Sequence, residues 1–167
     1  LLRQFSKMLH VIKVFPLTVP LIAVLLTVLL VRVHAHGDDQ VLIDALTEEL
    51  AKAPEADLFI RRGELYRHHQ DWAKAEADFV AAARLEPKLA IVNFFRARAL
   101  LEAGAPEKAR VFIDRYIASE PGAAEGWFLR GEVLAALGQP EAGAGDYTEG
   151  IRRATPPRPE HYLRRAR

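Results

Sequence analysis

Histidines and carboxylates just after an apolar run are the first residues to consider for chemistry. His34 and His36 flank Ala35, and Gly37, Asp38 and Asp39 follow. Imidazole and carboxylate groups bind divalent transition metals, so this segment allows a metal-handling protein as a remote alternative. Removal of the chain before His36 would leave a single histidine. We therefore interpret the segment as a polar linker.

A second pair, His68 and His69, is adjacent in a stretch predicted to be helical. Neighbouring side chains on a helix point about 100° apart, so one ion cannot easily use both. The sequence has no glycine-rich phosphate loop, paired metal-ligand motif or nucleophile elbow. Its acidic residues show no convergent pair for acid–base catalysis. The sequence therefore predicts a protein that is not an enzyme, with no cofactor and no metal site.

The elements that carry these residues are organised by a period of 34 residues. Small residues, large residues and prolines recur in phase: Gly63, Ala97 and Gly131; Tyr66, Leu100 and Leu134; Phe79, Ile113 and Tyr147; Pro87 and Pro121. A period of this length indicates a helix–turn–helix unit that cannot bury its apolar face alone. Stacked neighbours supply the missing surface, which predicts a scaffold.

The proline and glycine residues between the periodic segments indicate where the helices begin and end. Proline ends a helix and is tolerated in its first turn, and glycine favours helix ends. Turns are predicted at 70–72, 104–106 and 138–140, and helices near 56–69, 73–85, 90–103, 106–118, 124–137 and 140–153. Gly143, Gly145 and Gly150 are expected to weaken the last helix.

The three units resemble the tetratricopeptide repeat. Its characteristic positions hold Phe59, Gly63, Tyr66, Ala75, Phe79, Ala82 and Pro87; then Asn93, Ala97, Leu100, Ala109, Ile113, Tyr116 and Pro121; then Trp127, Gly131, Leu134, Gly143, Tyr147, Gly150 and Thr155. Asn93, Tyr116, Thr155 and the two glycines of the third unit depart from the pattern. The resemblance covers about two-thirds of the chain and implies an all-α fold, a right-handed α-α superhelix of three full repeats.

This organisation predicts six segments. A signal peptide or membrane anchor occupies 1–35, and a leader with an N-terminal packing helix occupies 36–55. Three repeats follow, at 56–89, 90–123 and 124–157. The last segment, 158–167, is the start of a fourth repeat or a capping helix. The packing helix has apolar residues at Val41, Leu42, Ala45, Leu46 and Leu50.

An arginine precedes the small residue of each unit, as Arg62, Arg96 and Arg130. In two units an aspartate follows sixteen residues later, Asp78 and Asp146. An offset of sixteen residues places the aspartate on the second helix of the hairpin, beside the arginine on the first helix. We expect Arg62–Asp78 and Arg130–Asp146 ion pairs, and a different arrangement at Arg96.

The first 35 residues contain Arg3, Lys7, Lys13 and Arg32, no acidic residue, and an uncharged apolar run over 14–31. This pattern is typical of a secretory signal peptide cleaved near Ala35, or of an uncleaved inner-membrane anchor. Either predicts repeats in the periplasm. The remainder carries 19 basic and 22 acidic residues, a formal charge of about −3. A nucleic-acid partner is not expected because such proteins carry a basic patch.

The resemblance also implies a concave groove lined by the first helix of each repeat. The expected lining is Ile60, Glu64, Arg67, Phe94, Arg98, Phe128 and Glu132, with Asp57, His68, Ile91, Leu101, Glu102, Glu125, Ala135 and Ala136 at further groove positions. Apolar residues flanked by mixed charge suit an unknown protein or peptide partner. The lysine and asparagine of the family's clamp for acidic chaperone tails are missing, so that partner class is not expected.

Two alternatives remain open at this point. Ile60, Phe94 and Phe128 could pack against the neighbouring repeat instead of a ligand. The chain could also be a membrane-anchored accessory factor of an envelope complex, which would use its outer surface.

Overall fold

A computed structural model of the protein describes residues 39–154. The chain divides into the units Leu1–Leu42 and Ile43–Arg167. Of the first unit, 39–42 are described, and they are helical. The predicted signal or anchor segment, the leader histidines, the residues 155–157 that close the third repeat and the segment 158–167 lie outside the described residues.

Helices are the only regular secondary structure in the described part of the chain. Helix α1 covers 39–52. Six further helices follow: α2 Ala56–His68, α3 Trp72–Leu85, α4 Ile91–Glu102, α5 Pro106–Ser119, α6 Ala124–Ala136 and α7 Pro140–Arg153. Every boundary lies within one residue of the predicted one. The all-α prediction is confirmed.

The helices α2 to α7 form three hairpins whose turns repeat the same backbone conformation. Gln70, Gly104 and Gly138, spaced 34 residues apart, have φ angles of 59°, 75° and 73°. Glycine adopts this left-handed region without steric cost, whereas Gln70 is a less favourable residue there. Pro106 and Pro140 begin the second helices of the last two hairpins, where the missing N–H costs no hydrogen bond.

Two core clusters hold the hairpins together, and each spans a repeat boundary. The first joins α2 and α3 to Val92 and Ala99 of α4. The second joins α4 and α5 to Leu129 and Val133 of α6. Five repeat positions occupy these clusters or pack beside them: Tyr66, Ala75, Phe79, Ala97 and Ala109. Three more are buried: Gly63, Gly131 and Tyr147. Pro87 and Pro121 are exposed in the loops between hairpins.

The two predicted arginine–aspartate pairs are confirmed, and both are bidentate. Arg62 donates from Nε and Nη2 to Asp78 at 2.8 and 2.7 Å. Arg130 donates to Asp146 at 2.6 and 2.8 Å. Both aspartates are buried, and a planar guanidinium matches a carboxylate in this geometry. Each pair therefore fixes the alignment of the two helices within its hairpin.

The same arginines also contact the preceding helix. Arg62 Nη1 donates to Thr47 of α1 at 2.9 Å, and Arg130 Nη1 donates to Asp114 of α5 at 3.2 Å. Arg96, whose hairpin has no matching aspartate, pairs with Glu76 of α3 and lies 3.9 Å above the Phe112 ring. The arginine at this position thus links each hairpin to the helix before it.

Helix α1 presents a different face from the predicted one. Ile43, Leu46 and Leu50 are buried, while Val41 and Leu42 are 68% and 50% exposed. The buried residues recur at intervals of three and four, which is the spacing of a single helical face. Only Leu46 and Leu50 of the predicted stripe are buried, because the buried face of the helix passes through Ile43 and leaves Ala45 exposed.

Two of the three glycines in α7 serve close packing. A Cβ at Gly143 would lie 2.8 Å from the carbonyl oxygen of Gly131, and a Cβ at Gly150 would lie 2.5 Å from the Phe128 ring. Gly145 is exposed, and no other atom lies within 4 Å of its Cβ position. The expectation that all three weaken the helix therefore requires correction for Gly143 and Gly150.

Alanine substitutions separate these two situations. Gly145→Ala should raise the free energy of unfolding by about 1 kcal/mol, because alanine favours a helix interior. Gly150→Ala gains the same preference but should lower stability by about 1–2 kcal/mol overall, since the added methyl displaces the buried Phe128 ring. Urea denaturation followed by circular dichroism measures both. Equal effects of the two substitutions would contradict the packing role of Gly150.

Candidate functional site

A cavity of about 310 Å³ lies between the first helices of the second and third repeats. Its lining comes from one face of α4 and one face of α6: Phe94, Arg98, Leu101, Glu102, Glu125, Phe128, Leu129 and Glu132. We call this surface the α4–α6 groove. First helices of adjacent repeats contact each other, so the periodic spacing brings equivalent positions of both helices to one side.

Aromatic rings form the apolar part of the groove. Phe94 lies 5.8 Å from Phe95 and 5.3 Å from Tyr116, measured between ring centroids. Phe128 stacks on Tyr147 at 6.4 Å and is 8% exposed. Phe128 is thus held by its own hairpin, whereas the half-buried Phe94 retains more surface for a ligand.

Charged residues of α2 and α4 form a network at one side of the groove. Arg67 donates to Glu64 at 3.0 Å and to both carboxylate oxygens of Glu102 at 2.8 and 2.6 Å. Arg98 donates to Glu64, and its guanidinium lies 5.5 and 5.2 Å from the Phe94 and Phe95 rings. Two arginines and two glutamates in contact make this network formally neutral.

Burial affects the two arginines of the network differently. It lowers the pKa of Arg98, and the nearby positive charge of Arg67 acts in the same direction, although Glu64 opposes them. Burial also lowers the pKa of Arg67, but the hydrogen bonds that Arg67 donates to Glu64 and Glu102 raise this pKa overall. The Nε of Arg98 is buried and has no hydrogen-bond partner among the described residues. Arg98 is therefore held by Glu64 and two aromatic faces.

Tyr116 contributes to the groove although the sequence indicated only a departure from the repeat pattern. Its hydroxyl donates to Glu125 at 2.7 Å, and its ring occupies the space beside Gly126. A Cβ at Gly126 would lie 2.8 Å from that ring. The sequence does contain a signal for this contact: Tyr116 is large where the repeat has a small residue, and Gly126 follows ten positions later. Burial raises the pKa of Tyr116, and the hydrogen bond to Glu125 raises it further.

The structure brings four of the seven predicted groove residues together in the cavity: Phe94, Arg98, Phe128 and Glu132. Glu64 and Arg67 join them through ion pairs to Arg98 and Glu102. Ile60 is 7% exposed and belongs to the first core cluster. For Ile60, packing against neighbouring helices is therefore the correct interpretation. Leu129 lines the cavity without having been predicted.

Other candidate sites have less support in the described part of the chain. Arg67, His68 and Glu102 also border a second depression of about 450 Å³ near Gln70 and Trp72. Over 39–154, no group of three or more histidine and acidic residues could hold a metal ion. None of the helices found in that range is both long and apolar enough to cross a bilayer. The apolar run 14–31 lies outside it.

The comparisons with known proteins agree with this architecture. No family model matches the chain, and no curated protein sequence matches it. Solved structures do match. The structure of MamA has a TM-score of 0.64 at 18% identity, covering 73% of this chain and 72% of MamA. The TPR domain of Sgt2 from Aspergillus fumigatus has a TM-score of 0.62 at 19% identity, covering 66% and 73%.

The first TPR domain of Spaghetti (RPAP3), solved with a bound HSP90 peptide of sequence SRMEEVD, has a TM-score of 0.61 at 16% identity. The match covers 66% of this chain and 87% of that domain. The chain is therefore a helical solenoid with the fold of tetratricopeptide-repeat domains.

The raised pKa of Tyr116 predicts a pH-dependent stability. Its folded-state pKa lies above the ordinary value of 10.0, so its contribution is present below pH 10 and is lost as pH rises above it. The free energy of unfolding should therefore fall more steeply above pH 10 in the wild type than in Tyr116→Phe. Chemical denaturation between pH 8 and about 11.5 measures both slopes. Identical slopes would show that this hydroxyl is not buried against Glu125.

Proposed function

We propose that this protein is a non-catalytic scaffold that binds a peptide segment of a partner protein in the α4–α6 groove. The observation that carries the proposal is a cavity with apolar and charged walls on the first helices of adjacent repeats. Phe94 and Leu101 are half-buried there, so they can lose further surface to a ligand. Apolar anchors beside polar groups are the usual features of peptide-binding grooves.

Two further observations support binding over chemistry. Arg67 and Arg98 are held in ion pairs with glutamates of the network, and such pairs stabilise the shape of the groove. The RPAP3 domain of the same fold was solved with a peptide bound. A scaffold function also agrees with the stacked repeats, because Phe94 and Leu101 of α4 pack against the second core cluster and still remain half-buried.

A library of random peptides displayed on phage tests this proposal. Peptides selected on the full chain should bind Leu101→Ala about tenfold more weakly, because the substitution removes an apolar contact in the groove. The matched control is Val111→Ala, which shortens a 49% exposed side chain on α5. It should leave affinity unchanged within about twofold.

Thermal melting of each variant checks that the fold is retained. Selected peptides that bind Leu101→Ala as tightly as wild type would move the site elsewhere. A selection without any enriched peptide would also count against the proposal.

We further propose that the repeats act outside the cytoplasm. The support is the sequence pattern of 1–35, in which basic residues precede an apolar run and Ala35 follows it. Cleavage near Ala35 would release the repeats into the periplasm. Retention would anchor them to the inner membrane, as required of an accessory factor in an envelope complex.

The mature protein distinguishes these outcomes when expressed with a C-terminal tag in a bacterial host. Cleavage predicts an N-terminus at His36 in the periplasmic fraction. An anchor predicts an uncut chain in the membrane fraction whose repeats are digested by protease added to the periplasmic side. An uncut chain in the cytoplasmic fraction would overturn both forms of the proposal.

A further inference from the structure

Two loops that join successive repeats have the same backbone hydrogen bonds. The first linker loop, 86–89, joins the first two repeats, and the second linker loop, 120–123, joins the last two. In each loop the N–H of the last residue donates to the carbonyl of the first, at 3.0 and 3.1 Å. The carbonyl of the last residue accepts from the N–H three positions further on, at 3.2 Å in both. Pro87 and Pro121 are therefore equivalent residues of two loops with one conformation.

Two side chains cover the second linker loop. The indole Nε1 of Trp127 donates to the carbonyl oxygen of Pro121 at 3.0 Å, and Nε of Arg153 donates to the same oxygen at 2.6 Å. A carbonyl oxygen has two lone pairs and can accept both bonds. The Cζ atom of Arg153 lies 4.4 Å from the centroid of the Trp127 ring, and its guanidinium also pairs with Glu149. The chain itself thus shows that a linker loop of this conformation binds an indole donor.

The first linker loop has neither of these side chains. The equivalent positions, 34 residues earlier, hold Asn93 and Ser119, which are shorter. The Ser119 hydroxyl donates to a backbone carbonyl of its own helix at 3.1 Å. In the described part of the chain, no hydrogen bond reaches the carbonyl oxygen of Pro87. An acceptor that is used twice in the second loop is therefore available to a ligand in the first.

Apolar surface lies beside this acceptor. A cavity of about 460 Å³ is lined by Glu86, Pro87, Lys88 and Leu89. Its volume lies in the range of ligand pockets. Leu85 directly precedes the loop and is 47% exposed. An aromatic ring placed here removes apolar surface from water, which favours binding.

The charges of the first linker loop favour a neutral donor over a guanidinium. Glu86 and Lys88 have opposite charges, so the loop is formally neutral. Lys88 takes the place of Gly122 in the second loop, and its ammonium group repels a ligand cation in the position of Arg153. An ammonium group is attracted to the face of an aromatic ring. The group that fits this loop is therefore an indole.

We propose that the first linker loop binds a tryptophan side chain exposed on a partner protein. The indole N–H donates to the carbonyl oxygen of Pro87, as Trp127 does to Pro121 in the second loop, and the ring packs against Leu89. The loop shares no residue with the α4–α6 groove, so this is a second interaction surface beyond the function proposed above.

Two peptides that differ only in the donor test this proposal. The probe is acetyl-Ser-Trp-Gly-amide, and its counterpart contains 1-methyltryptophan, which keeps the ring and has no N–H. In NMR titrations of the ¹⁵N-labelled full chain in mild detergent, the tryptophan peptide should shift the amide signals of Lys88 and Leu89. The methylated peptide should bind about fivefold more weakly, because one hydrogen bond is lost. The titration extends to millimolar peptide, since a single side chain buries little area.

The double variant Asn93→Trp with Ser119→Arg gives the first linker loop the side chains that cover the second. Its own indole should occupy the Pro87 carbonyl, so the tryptophan peptide should no longer shift the loop signals. The matched control is Ala73→Trp with Ala142→Arg, which introduces the same side chains at exposed positions near the start of α3 and α7. It should bind the peptide as wild type does. Thermal melting checks that both variants fold.

Several results would overturn the proposal. Equal affinity for the two peptides would exclude the hydrogen bond to Pro87, whether or not the double variant folds. Shifts confined to Phe94 and Leu101 would place the indole in the α4–α6 groove. Loop signals that move with protein concentration in the absence of peptide would indicate a second copy of the chain on this surface. The absence of any shift at Lys88 and Leu89 would exclude tryptophan as the ligand.

Discussion

The constraint on which the structure depends is that neither of the first two hairpins covers its own apolar face. Each core cluster is completed by two residues from the first helix of the following repeat, Val92 and Ala99 in one case and Leu129 and Val133 in the other. Because burial of apolar surface is the main driving force of folding, repeat stacking is a requirement for stability. The groove is a by-product of this stacking, since first helices that pack side by side leave a cleft between their outer faces.

Polar interactions fix the alignment of the packed helices. The arginine that precedes each small residue forms an ion pair within its own hairpin in two repeats, and in all three it also contacts the preceding helix. A bidentate guanidinium tolerates little sliding, so one side chain sets both the pairing within a hairpin and the angle to its neighbour. In the second repeat the acceptor moves to Glu76, and Phe112 occupies the place of the missing aspartate.

Departures from the repeat pattern are compensated nearby and also contribute to the groove. Tyr116 is large where the pattern has a small residue, and Gly126 makes room for it. Phe128 packs against Gly150 in the same way. In both cases a glycine makes room for an aromatic ring: Phe128 lines the cavity, and Tyr116 packs against Phe94, which also lines it. The site in the last two repeats therefore depends on residues that weaken the match to the family pattern.

The sequence alone determined the local features of this protein: both ends of six helices to within one residue, the hairpin turns, the Arg62–Asp78 and Arg130–Asp146 pairs, and most of the residues that line the cavity. The helices, turns and groove positions follow from short-range rules and a 34-residue period. The two ion pairs follow from a sixteen-residue offset between arginine and aspartate that the second repeat lacks. Only the tertiary structure decided that Ile60 is buried in the core, that α1 turns Ile43 inward, and that Tyr116 bonds to Glu125. Such contacts join different repeats through the fit of individual side chains, and that fit has no periodicity from which it could be predicted.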